Sequence, residues 1–150
     1  FGMSLMMACD LVVAADDAYF TLAYSNIALS PDGGATWSLP RQVGLKQAME
    51  IALLGERFDA GRARELGLLN RVVPLPQLSS VALELAQRLA SGPTGALART
   101  KALLNQSLAT SLAAQLQAEQ QAFAACAAEA DFGEGLAAFF ERRPAAYARS

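Results

Sequence analysis

The stretch SPDGGATW, residues 30–37, carries a carboxylate that is suited to acid–base chemistry. Asp32 is the only acid between residues 18 and 49. Pro31 restricts the backbone before it, and two glycines permit unusual dihedral angles after it. Apolar residues flank the turn on both sides. Apolar walls disfavour the charged form of a carboxylate, so such a group can accept a proton near neutral pH and return it.

A structural role for Asp32 competes with the chemical one. Pro-Asp-Gly is a common turn, and an aspartate at this place can cap the helix that follows. The residues by themselves favour the capping role and leave the catalytic role open.

The absence of histidine from all 150 residues narrows the chemistry further. Without histidine, this chain has no Ser-His or Cys-His nucleophile pair and lacks the commonest zinc ligand, so no metal site is predicted. Acid–base work falls to the 14 carboxylates, to Tyr, Lys or Cys, or to backbone dipoles.

Charge and hydropathy argue against nucleic acid and membranes as partners of this protein. The net charge is −2 and no basic run is present, so nucleic acid is not an expected partner. Apolar stretches are interrupted by acids such as Asp10, so we expect no membrane association and no signal peptide. Cys9 and Cys126 stand in apolar surroundings, which predicts two buried thiols in a reducing compartment, and hence a cytoplasmic protein.

Residues 1–75 alternate strands with helices, which predicts an α/β fold. Asp59 is the predicted N-cap of one of these helices, and Pro40 the predicted end of another. The predicted helices cover 4–9, 34–39, 45–54 and 59–66, and the predicted strands cover 11–15, 18–21 and 68–73.

Residues 76–150 are predicted to be entirely helical, with apolar stripes that would form a core. Asp131 and Glu134 are predicted to form a capping box. The Ala-rich stretch 113–128 has little charge, which favours burial against another subunit. The chain opens on FGMSLMMACD without an initiator methionine, which predicts the C-terminal part of a longer protein.

Three stretches carry a family resemblance that covers nearly the whole chain. They are GMSLMMACDLVVAADDAYFTLAYSNIALSPDGGATWSLPRQVG, AMEIALLGERFDAGRARELGLLNRVVP and ADFGEGLAAFFERRPAAY. They resemble the enoyl-CoA hydratase/isomerase (crotonase) superfamily. The resemblance implies an α/β, ClpP/crotonase-like fold, with residues 1–75 as the second half of its spiral core. It implies that residues 76–150 are a helical region that covers the active site and builds a homotrimer or a dimer of trimers.

The resemblance also implies a substrate and an oxyanion hole. Backbone N–H groups would hold the thioester carbonyl of an acyl-CoA, with coenzyme A as part of the substrate and no separate cofactor. By position, Phe1 and Gly2 provide one side of this hole, and a loop upstream of the given sequence provides the other. The two glutamates of the family's hydratases are replaced by Ser4 and Tyr24. These two residues, with Leu29 and Trp37, are predicted to line the substrate pocket.

Asp32 then remains as the one catalytic acid that the resemblance supports. Its SPDGG turn is most similar to that of phenylacetate-type enoyl-CoA isomerases with a single catalytic aspartate. The predicted function is therefore acyl-CoA double-bond isomerisation, with Asp32 as the proton shuttle. Two alternatives stay open, namely an enoyl-CoA hydratase that uses Ser4, Tyr24 and Asp32 together, and a non-catalytic CoA-thioester-binding subunit.

Overall fold

The computed structural model describes residues 1–147, which divide into two compact units. The first unit is Phe1–Ala82, and the second begins at Leu83. The proposed boundary after residue 75 stays a prediction.

The strands of the first unit are short and form two pairs. Strand β1 (Val13–Ala15) runs parallel to β4 (Arg71–Val73), and β2 (Tyr19–Phe20) runs antiparallel to β3 (Phe58–Asp59). The Phe20 and Phe58 rings stack across the second pair, with centroids 5.8 Å apart. Three of the strands lie inside the predicted ranges but are shorter, whereas β3 was not predicted.

Four α-helices lie wholly within the first unit, and the last of the four packs against β2, β3 and β4. They are α1 (Gly2–Met7), α2 (Ala35–Val43), α3 (Leu45–Leu54) and α4 (Ala60–Glu65), with short 3₁₀ helices at Ala23–Ile27 and Leu75–Gln77. Helix α3 has the predicted bounds and ends at Gly55, whose φ of 63° suits glycine. Asp59 caps α4 as predicted, because its Oδ1 accepts a hydrogen bond from the Arg62 amide at 2.7 Å.

Helix α2 corrects the prediction that Pro40 ends it. The helix continues through Pro40 to Val43. A proline inside a helix leaves the carbonyl four residues earlier without its donor, here that of Thr36. Thr36 is exposed, so water can satisfy that carbonyl. Leu39 is almost completely buried, and its packing favours the continued helix.

The core of the first unit joins helices α1 to α4 with β1. Leu22, Leu39 and Leu69 are its largest fully buried side chains. Fully buried alanines at positions 35, 60 and 63 leave room for close backbone approach. The remaining buried members are Met3, Met7, Ala14, Ala48, Ile51 and Leu68.

Helices are the only regular secondary structure among the described residues of the second unit. Helix α5 (Leu78–Ala90) leads into it, followed by α6 (Thr94–Ser107), α7 (Leu112–Ala127) and α8 (Ala130–Glu141). An ion pair joins α6 to the segment between α7 and α8, with Arg99 Nη2 2.6 Å from Glu129 Oε1. Across residues 1–147, every helix is too short or too polar to cross a membrane.

The apolar stripes of α6, α7 and α8 are largely exposed, whereas that of α5 is half-buried at Leu78, Val81 and Leu85, which corrects the prediction that these stripes form a core. Among residues 83–147 only Ala138 is buried. Helix α6 packs on α7 and α7 packs on α8, so the helices pair in sequence and each keeps an open face. An apolar surface of this extent is typical of a contact with further protein. The exposed side chains are Leu97, Leu104, Leu108, Leu112, Leu116, Phe123, Phe132, Leu136, Phe139 and Phe140.

The predicted capping box in the second unit is wrong. Helix α8 begins at Ala130, with Glu129 as its N-cap, so Asp131 already lies in the first turn. Glu134 instead accepts two hydrogen bonds from the Arg143 guanidinium, at 2.6 and 3.0 Å, and one from the Ala146 amide at 2.6 Å. These donors, Arg143 first, lower the pKa of Glu134 to about 2.

The two cysteines are free thiols in different environments. Cys9 is exposed, contrary to the prediction of a buried thiol, because α1 ends at Met7 and Cys9 lies in the bend after it. Cys126 is half-buried, and its sulfur lies 3.9 Å from Arg99 Nη1.

Candidate active site

The turn that contains Asp32 is fixed to the first turn of α1 through its main chain. Ser4 Oγ donates to the Asp32 carbonyl oxygen at 3.0 Å, and the Ala35 amide donates to the same oxygen at 3.1 Å. Ser4 is only 2% exposed, so its hydroxyl is held in place by packing. The backbone of Asp32 is therefore anchored from α1 on one side and from α2 on the other.

Gly33 allows this close approach. Its φ is +61°, and a Cβ added there would lie 3.0 Å from Ser4 Cβ and 3.1 Å from the Phe1 ring. Distances this short require the neighbours to move. A side chain at residue 33 would thus push the turn away from α1.

Tyr24 holds the side chain of the same aspartate. Its hydroxyl donates to Asp32 Oδ1 at 2.6 Å. Tyr24 lies in the 3₁₀ helix Ala23–Ile27 and packs in part against the core, while its carbonyl accepts from the Leu29 amide at 3.0 Å. The donor is therefore the more rigid partner of this pair.

The pKa of Tyr24 is raised above its usual value of 10.0, chiefly by the hydrogen bond to Asp32. Partial burial and the negative charge of Asp32 act in the same direction, while Ser4 and the Asp32 backbone oppose them. Because ionisation of the phenol would remove the donor and create a second negative charge, Tyr24 stays protonated near neutral pH.

These contacts exclude side-chain capping as the role of Asp32. The N-cap of α2 is Gly34, without a side-chain cap hydrogen bond, and the Asp32 carboxylate faces Tyr24 instead. The predicted apolar walls are not formed by the described residues, however. Asp32 is exposed, and Leu29 and Trp37 are 60% and 58% exposed. The Asp32 carboxylate is thus fixed by one hydrogen bond and is accessible to solvent.

The remaining predicted site residues lie at different distances from this cluster. Phe1 is the N-cap of α1 and packs on Gly33 through its ring, and Gly2 begins the helix with open space beside it. Leu29 joins the cluster through its amide, which donates to Tyr24. The Trp37 ring lies instead against the Arg41 guanidinium, 4.0 Å from its centroid.

The structure thus brings Phe1, Ser4, Tyr24 and Asp32 together, and it shows hydrogen bonds of Ser4 and Tyr24 that the sequence did not predict. Both contact Asp32, one at its main chain and one at its carboxylate. The sequence signal that could have predicted these hydrogen bonds is that both positions of the hydratase glutamates, here Ser4 and Tyr24, carry hydroxyl groups. The sequence indicates only that Gly33 is flexible, whereas its contacts require glycine.

Asp32 lines neither of two cavities formed by the described residues. A cavity of about 140 Å³ in the first unit lies between α2 and α3, and Pro31 is its only lining residue from the Ser-Pro-Asp-Gly-Gly turn. A cavity of about 390 Å³ in the second unit is lined by residues in and beside α6, α7 and α8, including Glu129, Phe132 and Tyr147. Within residues 1–147, no three His, Cys, Asp or Glu side chains are close enough to hold a metal ion.

Known proteins match this chain along nearly its whole length. The enoyl-CoA hydratase/isomerase family model matches residues 1–150. A Rhodobacter capsulatus protein named "Probable enoyl-CoA hydratase" is 41% identical over 143 residues, which are 95% of this chain and 56% of that protein. The 1,2-epoxyphenylacetyl-CoA isomerase of Escherichia coli K12 is 38% identical over 142 residues, which are 95% of this chain and 54% of that protein.

A solved structure gives the same result for the fold. The crystal structure of an enoyl-CoA hydratase from Polaromonas sp. JS666 superimposes with a TM-score of 0.94 at 41% identity, over 98% of this chain and 57% of that chain. The chain thus spans about half the length of the relatives it matches. Its fold is the α/β crotonase fold, and the chain belongs to the enoyl-CoA hydratase/isomerase family.

Proposed function

We propose that the protein is an acyl-CoA double-bond isomerase in which Asp32 moves the proton and backbone amides hold the thioester oxygen. The substrate is an enoyl-CoA, and coenzyme A enters only as part of it. The observation that carries this proposal is the state of Asp32. Its carboxylate is exposed and held by Tyr24, while both positions assigned to hydratase glutamates carry hydroxyl side chains.

A single carboxylate is sufficient for this reaction. Asp32 removes a proton from one carbon of the acyl chain, and the electron pair of that C–H bond moves toward the thioester carbonyl to form an enolate. The carboxylic acid then returns the proton to a carbon further along the chain, and the double bond moves. The reaction is redox-neutral and needs no water or other co-reactant.

The enolate needs donors that are aimed at its oxygen. The proposal assigns one of them to the backbone at Phe1 and Gly2. Support comes from α1, which begins at Gly2 next to the Asp32 turn, because the first amides of a helix lack intrahelical acceptors and carry a partial positive charge. The second donor belongs to the upstream loop that the family resemblance implies.

The test is replacement of Asp32 in the full-length protein. Asp32→Asn removes the base and keeps the shape, so we expect turnover of a 3-enoyl-CoA to fall by about 10²–10⁴-fold. Binding of the CoA thioester, measured by calorimetry, should stay near the wild-type value. Asp17→Asn, which changes an exposed turn acid in the same unit, is the matched control. Wild-type turnover in the Asp32→Asn protein would refute the proposal.

Hydration is the second candidate, because the Rhodobacter and Polaromonas relatives are named as enoyl-CoA hydratases. Water addition requires that a water molecule be positioned and activated, and that a proton be delivered to carbon. Ser4 and Tyr24 are both engaged with Asp32, which favours isomerisation. Incubation of crotonyl-CoA in ¹⁸O-labelled water separates the two reactions, since a hydratase produces labelled 3-hydroxybutyryl-CoA and an isomerase does not.

The proposal extends to assembly and metabolic setting. The open apolar faces of α6, α7 and α8 favour the expected homotrimer or dimer of trimers. The similarity to an epoxyphenylacetyl-CoA isomerase favours an acyl group from aromatic catabolism, with the cytoplasm as the expected compartment. Sedimentation of the full-length protein and turnover of ring-derived enoyl-CoA substrates test these two statements.

A further inference from the structure

We propose that Tyr24 is a positioning residue that occupies Oδ1 of Asp32, so that Oδ2 is the oxygen that takes up and returns the proton. This inference rests on the proposed function, since it assumes that Asp32 is the acid–base group. It gives Tyr24 a role that differs from the pocket-lining role predicted from the sequence.

The contact itself has the geometry of a strong hydrogen bond. The Tyr24 hydroxyl lies 2.6 Å from Asp32 Oδ1, within the range typical of a hydroxyl that donates to an ionised carboxylate. A carboxylate that already accepts such a bond at one oxygen presents its other oxygen to a substrate. One oxygen is enough, because the proposed reaction removes and returns the same proton.

The surroundings explain why this aspartate needs an outside donor. Its main chain is fixed by Ser4 and by the start of α2, but its side chain is exposed and would otherwise rotate. Tyr24 is half-buried and packs against the core, so its hydroxyl has a defined position. A phenol that is itself held by the core thus restricts the rotation of a carboxylate at the surface.

The hydrogen bond also gives Tyr24 an effect that differs from that of a pocket wall. Within the described residues, Tyr24 is the titratable group in direct contact with this carboxylate. Loss of the phenol hydroxyl frees the carboxylate to rotate, so the rate of proton transfer should fall while binding of the acyl-CoA is little affected.

The test is Tyr24→Phe in the full-length protein, which removes the hydroxyl and keeps the packed ring. We expect kcat to fall about tenfold with little change in KM. Tyr19→Phe is the control. Tyr19 lies in β2 with its ring against the Arg57 guanidinium, and it has no part in the proposed mechanism. Thermal unfolding verifies that both variants fold.

A double variant distinguishes this inference from the proposed function. If Tyr24 acts through Asp32, then Tyr24→Phe should cause no further loss in an Asp32→Asn background. A Tyr24→Phe protein with wild-type kcat, alongside an inactive Asp32→Asn protein, would overturn the positioning role alone. An active Asp32→Asn protein would overturn the proposed function, whatever Tyr24→Phe does.

Discussion

Replacement of Gly33 by alanine should destabilise the fold more than replacement of another glycine that also has a positive φ but has no neighbouring atoms where the Cβ would lie. Gly33 has a φ of +61°, and a side chain in this region costs about 1–2 kcal/mol. The added Cβ would also lie 3.0 Å from Ser4 Cβ and 3.1 Å from the Phe1 ring.

The two contacts differ in how easily they are relieved. The Phe1 ring is 72% exposed and can swing away, whereas Ser4 is buried and anchors the Asp32 carbonyl. Overpacking against one immobile neighbour adds about 1 kcal/mol, at the lower end of the usual range. We therefore expect Gly33→Ala to lower the free energy of unfolding by about 2–3 kcal/mol.

Gly67→Ala provides the matched control. Gly67 has a φ of +81°, further from the left-handed minimum of ordinary residues than Gly33, and a Cβ added there would meet nothing within 4 Å. Its backbone strain is thus at least as large, but it lacks the contacts. Urea unfolding of both variants measures the difference, which we expect to be about 1 kcal/mol. If Gly67→Ala costs as much as Gly33→Ala or more, the argument from close approach is wrong.

Three further predictions concern helix ends and one ion pair. Arg142 ends α8 with a φ of 53°, so Arg142→Gly should stabilise the fold by up to about 1 kcal/mol in thermal unfolding, and a loss of stability would contradict this explanation. Glu134 has its pKa lowered to about 2 from 4.5, chiefly by Arg143, so its contribution to stability is complete above pH 4.5 and is lost as the pH falls toward 2. The difference in melting temperature between wild type and Glu134→Gln should shrink over that interval, and a constant difference would refute the linkage. Asp59→Ala should cost about 1 kcal/mol by urea unfolding through loss of the α4 cap, whereas Asp59→Asn should cost much less.

Local signals in the sequence predicted several elements of the first unit well. Helix α3 has its predicted bounds because Gly44 and Gly55 flank a continuous run of helix-forming residues, and Asp59 caps α4 for the reason expected. The prediction that α2 ends at Pro40 was wrong because the continued helix buries Leu39, and because Thr36, whose carbonyl loses its helical donor, is an exposed residue.

The second unit shows the limit of periodicity as a guide to burial. Leu104, Leu116 and Phe123 have the helical spacing of core residues, but they are exposed in the described chain. Spacing predicts that a face will be covered and does not identify the covering surface.

The candidate site was predictable as a set of positions but not as a set of contacts. Asp32 could be chosen because it is the only acid between residues 18 and 49 and because the family resemblance places a catalytic aspartate in its turn. The Ser4 contact joins residues 28 apart in the chain, and the Tyr24 contact depends on the bend of a 3₁₀ helix. No regular spacing in the sequence marks either contact. The sequence therefore predicted that Ser4 and Tyr24 line a pocket, and it did not predict that they contact Asp32.

The parallel pairing of β1 with β4 has a consequence for biosynthesis. The Val12 amide donates to the Asn70 side chain, 58 residues further along the chain. At a ribosomal rate of about 5–20 residues per second, β4 is synthesised roughly 3–12 s after β1. During that interval the backbone groups of β1 that pair with β4 have no partner strand. An unpaired strand edge can pair with another chain, so these seconds are a period in which the nascent chain is open to aggregation through β1.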